Sequence, residues 1–327
     1  MATADQVKAL VRSHAEGDDS QFYAVALQVA ARAAKQGHTR MATELRDLID
    51  AAKAAATASG ARQLRPVPVV KPRGELSGLL AVTYPRQRLS DLVVDEGVRS
   101  RLQRVLTEQR QQGELRAHGF EPLHSLLLVG PPGTGKTMSA SVLAGELNLP
   151  LFMIRLESLI TKFMGETAAK LRLIFDAVEE TRGVYLFDEV DALAGDRASG
   201  NDVGEVRRIL NSFLQFLDHD QSSSVVIAAT NHPQLLDRAV FRRFDSVIEY
   251  QPPTVEIARR VIKNRLATLD MKGLQWAKVD AAAVGLSHAE LVIACEHAAK
   301  ETILTKEVRM TTARLADALA ERHRSGD

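Results

Sequence analysis

The sequence predicts an α/β fold: a parallel five-stranded sheet covered by helices on both faces, with a small helical bundle before it and a helical lid after it. Three observations predict this. Short apolar runs at Leu126–Val129, Leu151–Ile154, Val184–Phe187, Val225–Ala229 and Val247–Ile248 are separated by helix-length segments, the order of a parallel sheet buried on both faces. After Pro252-Pro253 the strand pattern stops, and three helical stretches come next, near 254–269, 287–305 and 311–323. Before all of this, 18 of the first 61 residues are alanine, which favours helix over strand.

The N-terminal region, 1–60, reads as three short helices. Thr3-Ala4-Asp5-Gln6 has the spacing of a capping box, and Gly17, Gly37 and Gly60 stand where helices end. Apolar stripes lie at Val7, Leu10 and Val11, then Phe22, Ala26, Val29, Ala30 and Ala33, then Met41, Leu45, Leu48 and Ile49. Such a bundle is an adaptor rather than a catalytic module. Residues 61–90 read as a linker, broken by Pro66, Pro68, Pro72 and Pro85. Its charge is basic, which fits either a solvated tether or contact with an acidic partner. The α/β unit then spans 91–250 and the lid 251–327.

Composition excludes several classes. The net charge of +1 gives no global attraction to nucleic acid or anionic membrane. A single cysteine, Cys295, forbids an internal disulfide or a cysteine-based zinc site. No apolar stretch approaches the roughly 20 residues of a membrane span. The first residues lack the basic-then-apolar order of a signal peptide. The expectation is a soluble cytoplasmic protein.

Gly130-Pro131-Pro132-Gly133-Thr134-Gly135-Lys136-Thr137 follows one predicted strand and opens a helix. It satisfies G-x-x-x-x-G-K-[ST] in the required strand–loop–helix context. Glycines let backbone N–H groups turn toward phosphate oxygens, and the helix N-terminus adds further donors. Lys136 is placed to reach the outer phosphates of a nucleoside triphosphate, and Thr137 to put its hydroxyl on Mg²⁺. Val184–Phe187 leads directly into Asp188 and Glu189. Carboxylates at a strand's C-terminal end lie where open α/β sheets bind ligands. Asp188 is the candidate Mg²⁺ residue and Glu189 the candidate to orient an attacking water. The plainer reading is that Asp188, Glu189 and Asp191 enrich a helix N-terminus in acids.

These residues together resemble the AAA ATPases, the clade that includes katanin and spastin, over about residues 88–310. The resemblance implies ATP and Mg²⁺ as ligands and a ring, typically a homohexamer. Ala228-Ala229-Thr230-Asn231 resembles the sensor-1 strand, which would put Asn231 near the γ-phosphate. Leu236–Asp245 resembles the arginine-finger segment, so Arg242 and Arg243 would serve a neighbouring subunit's nucleotide. As an isolated observation, each would be a surface arginine paired with an acid such as Asp237 or Asp245. Gly285–Glu290 resembles the sensor-2 region but carries His288 where glycine is usual and Glu290 where aspartate is usual. Ala289 leaves no sensor-2 arginine. His288 either touches adenosine or caps its helix. Asp91–Val94 lies where the adenine-contacting segment begins, and its apolar residues also suit ordinary core.

Lys162-Phe163-Met164-Gly165-Glu166-Thr167 resembles the first pore loop of the family, with Phe163 the residue to grip a polypeptide. An exposed ring packs on diverse side chains, and methionine adapts to them. A second candidate pore loop, 195–202, has the composition of an exposed loop. The resemblance therefore implies a protein remodeller. The short helical N-terminus and the GLSHAE sequence look further like bacterial AAA ATPases paired with a separate subtilisin-like serine protease in defence modules. The competing reading is a nucleic-acid-stimulated motor. Against it stand the near-zero net charge and 15 aromatic residues that form no stacking platform.

Overall fold

The computed structural model describes residues 43, 72, 74–159, 164–194, 203–307 and 309–325. The chain divides into units 1–66 and 67–327. The predicted N-terminal bundle, Thr43 apart, lies outside the described residues. The second unit contains the sheet and the lid.

Its sheet has six strands in the order β1-β3-β4-β5-β2-β6. The strands are β1 (Leu80–Thr83), β2 (Ser125–Val129), β3 (Leu151–Ile154), β4 (Val184–Phe187), β5 (Val225–Thr230) and β6 (Ser246–Glu249). The five expected strands are all present and run parallel to one another. The correction is β1, which pairs antiparallel with β3, Leu80 opposite Ile154. It arises inside the segment read as a linker. A four-residue strand carries too little alternation to stand out, and Pro85 just beyond it marks an edge position that sheets tolerate.

Side chains alternate between two apolar layers, as strand geometry requires. Leu127, Phe152, Tyr185, Phe187, Val226 and Ala228 face helices α6 (Met164–Glu180) and α7 (Val203–His219) through Ile174, Phe175, Val178 and Phe213. Leu126, Leu128, Leu186, Ile227 and Ala229 face α2 (Glu96–Arg110) and α4 (Lys136–Leu147) through Leu102, Val105, Ala140 and Leu143. Helix α2 starts where the Asp95 carboxylate accepts from the Val98 N–H at 2.9 Å. Shorter helices complete the layers: α1 (Leu76–Leu79), α3 (Gln112–Ala117), α5 (Leu156–Leu159) and α8 (Arg238–Phe241).

The lid holds four helices: α9 (Val255–Arg265), α10 (Trp276–Ala283), α11 (His288–Leu304) and α12 (Thr312–Ser325). Three were expected. Helix α10 is eight residues long and has no side-chain cap, so neither its periodicity nor its start is prominent in the sequence. Ile262, Val279, Leu291, Ala294, Cys295 and Leu315 form the lid core, and Val93 joins it from the α/β side. Burial pushes the Cys295 thiol up to about 12, which makes it an inert packing residue.

Candidate functional site

The site is built on the adjacent C-terminal ends of β2, β5 and β4. Strand order makes β5 the neighbour of both β2 and β4, so residues about 50 and 95 positions beyond the glycine-rich loop return to it.

The loop itself runs from Gly130 to the start of α4. At Gly130 a Cβ would stand 2.4 Å from the Tyr250 carbonyl oxygen, so only glycine lets the chain turn there. At Gly133, φ is +73° and a Cβ would meet Ser287 Oγ at 2.7 Å. That glycine lets the loop touch the lid, where the Ala289 N–H donates to the Gly133 carbonyl at 3.1 Å.

Lys136 is 6% exposed. Its ammonium donates to Gly130 O at 2.6 Å, Pro131 O at 2.9 Å and Asn231 Oδ1 at 2.7 Å. Burial lowers its pKa, and the charges of Asp188, Asp191 and Glu189 oppose that shift. The Thr137 hydroxyl donates to Asp188 Oδ2 at 2.7 Å. Two hard oxygen donors at the mouth of a phosphate-type loop suit Mg²⁺, which binds through one or two protein oxygens together with substrate phosphates.

Glu189 is exposed and lies at φ +56°, a left-handed conformation for a residue with a side chain. Its neighbour Asp191 has a structural part that the sequence reading missed: Thr230 Oγ1 donates to Asp191 Oδ1 at 2.8 Å, and Thr230 Oγ1 accepts from the His232 N–H at 3.0 Å. This pair fixes the end of β5, and so Asn231, against the turn after β4. No local motif marks it.

Arg242 and Arg243 are both exposed. Arg243 pairs with Asp218 at the end of α7, not with Asp237 or Asp245. No hydrogen bond or ion pair among the described residues joins either arginine to the loop at 130–137. Asp245 is instead a clamp. Its Oδ2 accepts from the His124 N–H at 3.0 Å and the Ser125 N–H at 2.9 Å, and it pairs with His124 Nδ1 at 3.0 Å. The Asp245 N–H donates in return to Ser125 Oγ at 3.0 Å.

Lys162 and Phe163 lie outside the described residues, as does the loop 195–202. Met164 is the first residue of α6. Leu92 and Val94 are buried in the α/β core and Val93 in the lid core. Asp91 shapes a turn, its Oδ2 accepting from the Arg88 N–H at 2.8 Å.

Comparison with known proteins fits this arrangement. Residues 126–252 match the family described as ATPase family associated with various cellular activities (AAA). An uncharacterized AAA family ATPase of Sinorhizobium fredii is 33% identical over 306 residues, covering 94% of this chain and 91% of the relative. The chain belongs to the AAA family. This AAA ATPase binds and hydrolyses ATP. It is also 32% identical to an ATP-dependent zinc metalloprotease FtsH of Helicobacter felis over 67% of the chain. Proteasome-activating nucleotidase 2 of Haloferax volcanii is 36% identical over 58% of the chain. Of those two relatives the AAA ATPase spans only 36% and 47% of the length. The crystal structure of the FIGL-1 AAA domain superposes with a TM-score of 0.60 at 25% identity, covering 78% of this chain and 91% of that one. Among the described residues of the AAA ATPase, no helix is long and apolar enough to cross a membrane.

Proposed function

We propose that this ATPase is a ring-forming, cytoplasmic protein remodeller whose nucleotide is held and cleaved by the residues gathered at the ends of β2, β4 and β5. The observation that carries the reading is the pair of contacts Lys136–Asn231 and Thr137–Asp188. They bring three separate stretches of sequence to the rim of one phosphate-type loop.

Backbone N–H groups of Gly130, Gly133, Thr134 and Gly135 cradle the phosphates, with Pro131 and Pro132 shaping the turn. The Lys136 ammonium exchanges its carbonyl partners for β- and γ-phosphate oxygens. Mg²⁺ would be held by Thr137 and Asp188, and when bound it neutralises charge on the phosphates. Glu189 orients and polarises the attacking water. Asn231, linked to Lys136, senses the γ-phosphate. Arg242 and Arg243 reach the nucleotide of the adjacent subunit, where a planar guanidinium matches the charge spread over a phosphoryl group in transit. Lys162, Phe163 and Met164 grip the polypeptide in the pore of a homohexamer.

The finer form of this proposal adds a partner: a separate subtilisin-like serine protease in a bacterial defence module, fed or activated by the ring. What supports it is the resemblance of the N-terminal region and of Gly285–Glu290 to such ATPases.

Glu189→Gln tests both levels. The variant is expected to bind ATP normally and to lose turnover by about 10²–10⁴-fold, the usual weight of a positioned general base. Recovered from its host with ATP, it should hold its client. One near-stoichiometric serine protease supports the finer form, and varied proteins support general remodelling without it. Nucleic acid in place of protein, or unchanged turnover, would refute the proposal.

A further inference from the structure

Tyr250 lies between β6 and Gln251-Pro252-Pro253, the stretch that leads into α9. It stands far outside the G-x-x-x-x-G-K-[ST] motif and is 2% exposed, yet it reaches both ends of the phosphate loop. At the start of the loop it does so through its backbone. The Tyr250 N–H donates to the Val129 carbonyl at 2.7 Å, and the Tyr250 carbonyl packs against Gly130 where a side chain would stand. At the end of the loop it does so through its side chain. The phenol donates to Ser139 Oγ at 2.7 Å, and Ser139 Oγ donates to the Gly135 carbonyl at 3.0 Å. Ser139 is fully buried, and its N–H reaches the same carbonyl at 2.9 Å.

A buried tyrosine hydroxyl needs a partner, and a helical serine can back-bond to the carbonyl four residues before it. Here the two join into one relay, in a dry setting where linked hydrogen bonds strengthen one another. Burial raises the phenol above its ordinary value, against the opposing bond to Ser139, so it stays a donor through neutral pH. What the relay holds matters more than its own energy. Gly135, φ +104°, opens α4 with no side-chain cap to steady it. The peptide unit is planar, so fixing the Gly135 carbonyl also fixes the Lys136 N–H on the opposite edge of that unit. That N–H belongs to the helix end where phosphate oxygens bind.

We propose that Tyr250 is a positioning residue for the triphosphate. Through Ser139 it presets the Gly135–Lys136 peptide before the nucleotide arrives, and through its own backbone it braces Gly130 at the other end of the loop. It acts through these groups and not on the phosphates directly. The inference rests on the phosphate-holding role given to Gly130–Thr137.

The test measures binding of ATP and of inorganic tripolyphosphate to the full chain by calorimetry, with ATPase kinetics and thermal melting alongside. Tyr250→Phe removes one oxygen and keeps the ring and the backbone contacts. One net hydrogen bond holds the loop in its binding form, so its loss should lower apparent affinity about three- to tenfold. ATP and tripolyphosphate should weaken by the same factor, and KM should rise with kcat nearly unchanged. Ser139→Ala should do the same. The double variant should be no worse than either single one, because one relay is broken once. Lys136→Ala should weaken both ligands. If it does not, the phosphate-site reading fails and this inference with it; if it does while Tyr250→Phe and Ser139→Ala change neither affinity, this inference alone fails. A lower melting temperature with unchanged affinities would likewise overturn it, reducing the relay to packing. So would a loss for ATP alone, which would place the effect away from the phosphates, or additive losses in the double variant.

Discussion

Glu189 holds a conformation that side chains avoid, φ +56°, at a cost of about 1–2 kcal/mol. Strain of this kind persists where the surrounding structure imposes it, and it gathers at functional sites. Here β4 buries four residues in succession and the chain must then turn into Val190–Ala194, whose first bond runs from the Ala192 N–H to the Glu189 carbonyl at 2.8 Å. The turn leaves the Glu189 side chain in solvent beside the Thr137–Asp188 pair. Glu189→Gly should therefore stabilise the fold while abolishing turnover. Relief of strain, less the added entropy of glycine in the unfolded chain, leaves a gain of about 0.5–1 kcal/mol. Thermal melting together with an ATPase assay checks this, and a lower melting point would remove the strain argument.

The segment from Arg238 to Asp245 is held at its far end. Phe244 is buried, its ring 6.5 Å from that of Phe213. Asp245 is clamped to the start of β2, which also carries the phosphate loop at its other end. The His124–Asp245 pair makes this clamp responsive to pH. His124 is raised above 6.5, first by its hydrogen bond to Asp245, against desolvation. Asp245 is held well below 3.8 by His124 and by the N–H groups of His124 and Ser125, which together outweigh its burial. The His124 contribution is complete below pH 6.5 and fades as pH rises through its raised value. The Asp245 contribution is complete above pH 3.8 and fades only in strong acid. Stability from the clamp is thus greatest between these values and declines above 6.5. His124→Asn should flatten the fall in denaturant stability between pH 6.5 and 8, and an unaltered slope would show that the pair contributes nothing.

This element also shows what a sequence can reveal. The glycine-rich loop and the acids after β4 were legible because their chemistry is local: strand, turn and helix start are contiguous. Arg243 with Asp218, Asp191 with Thr230, and His124 with Asp245 were not, because each pair is made by the strand order rather than by spacing. Strand β1 and helix α10 were missed for a different reason. Four and eight residues carry too few periods for their apolar faces to register, and neighbouring layers supply the stability that local propensity does not.

At the scale of the whole molecule, the role proposed for Arg242 at a neighbouring subunit's nucleotide would make activity depend on assembly. Arg242 is exposed and makes no ion pair with the described residues of its own chain, unlike Arg243. Arg242→Ala should retain ATP binding yet lose turnover by about 10³–10⁵-fold, the effect of an arginine supplied across an interface. Wild-type activity per chain should rise with protein concentration. Adding Arg242→Ala chains should depress it further than dilution explains. Activity that stays proportional to the wild-type chains alone would place the arginine outside the reaction.

The lid carries the chain's single tryptophan. Trp276, at the start of α10, lies beneath two cations, the Arg259 guanidinium and the Lys263 ammonium, each 5.2 Å from the ring. Both cations belong to α9, the first helix of the lid, and Asp280 of α10 anchors Arg259 in turn. The indole is thus a native optical probe of how α9 sits on α10. Excited at its red edge, where tyrosine is silent, the unlabelled protein emits from the lid alone. A nucleotide that moves these helices against each other should shift that emission, and rigid-body swinging of the whole lid should leave it unchanged. The ring's own light separates deformation of the lid from rotation of the lid.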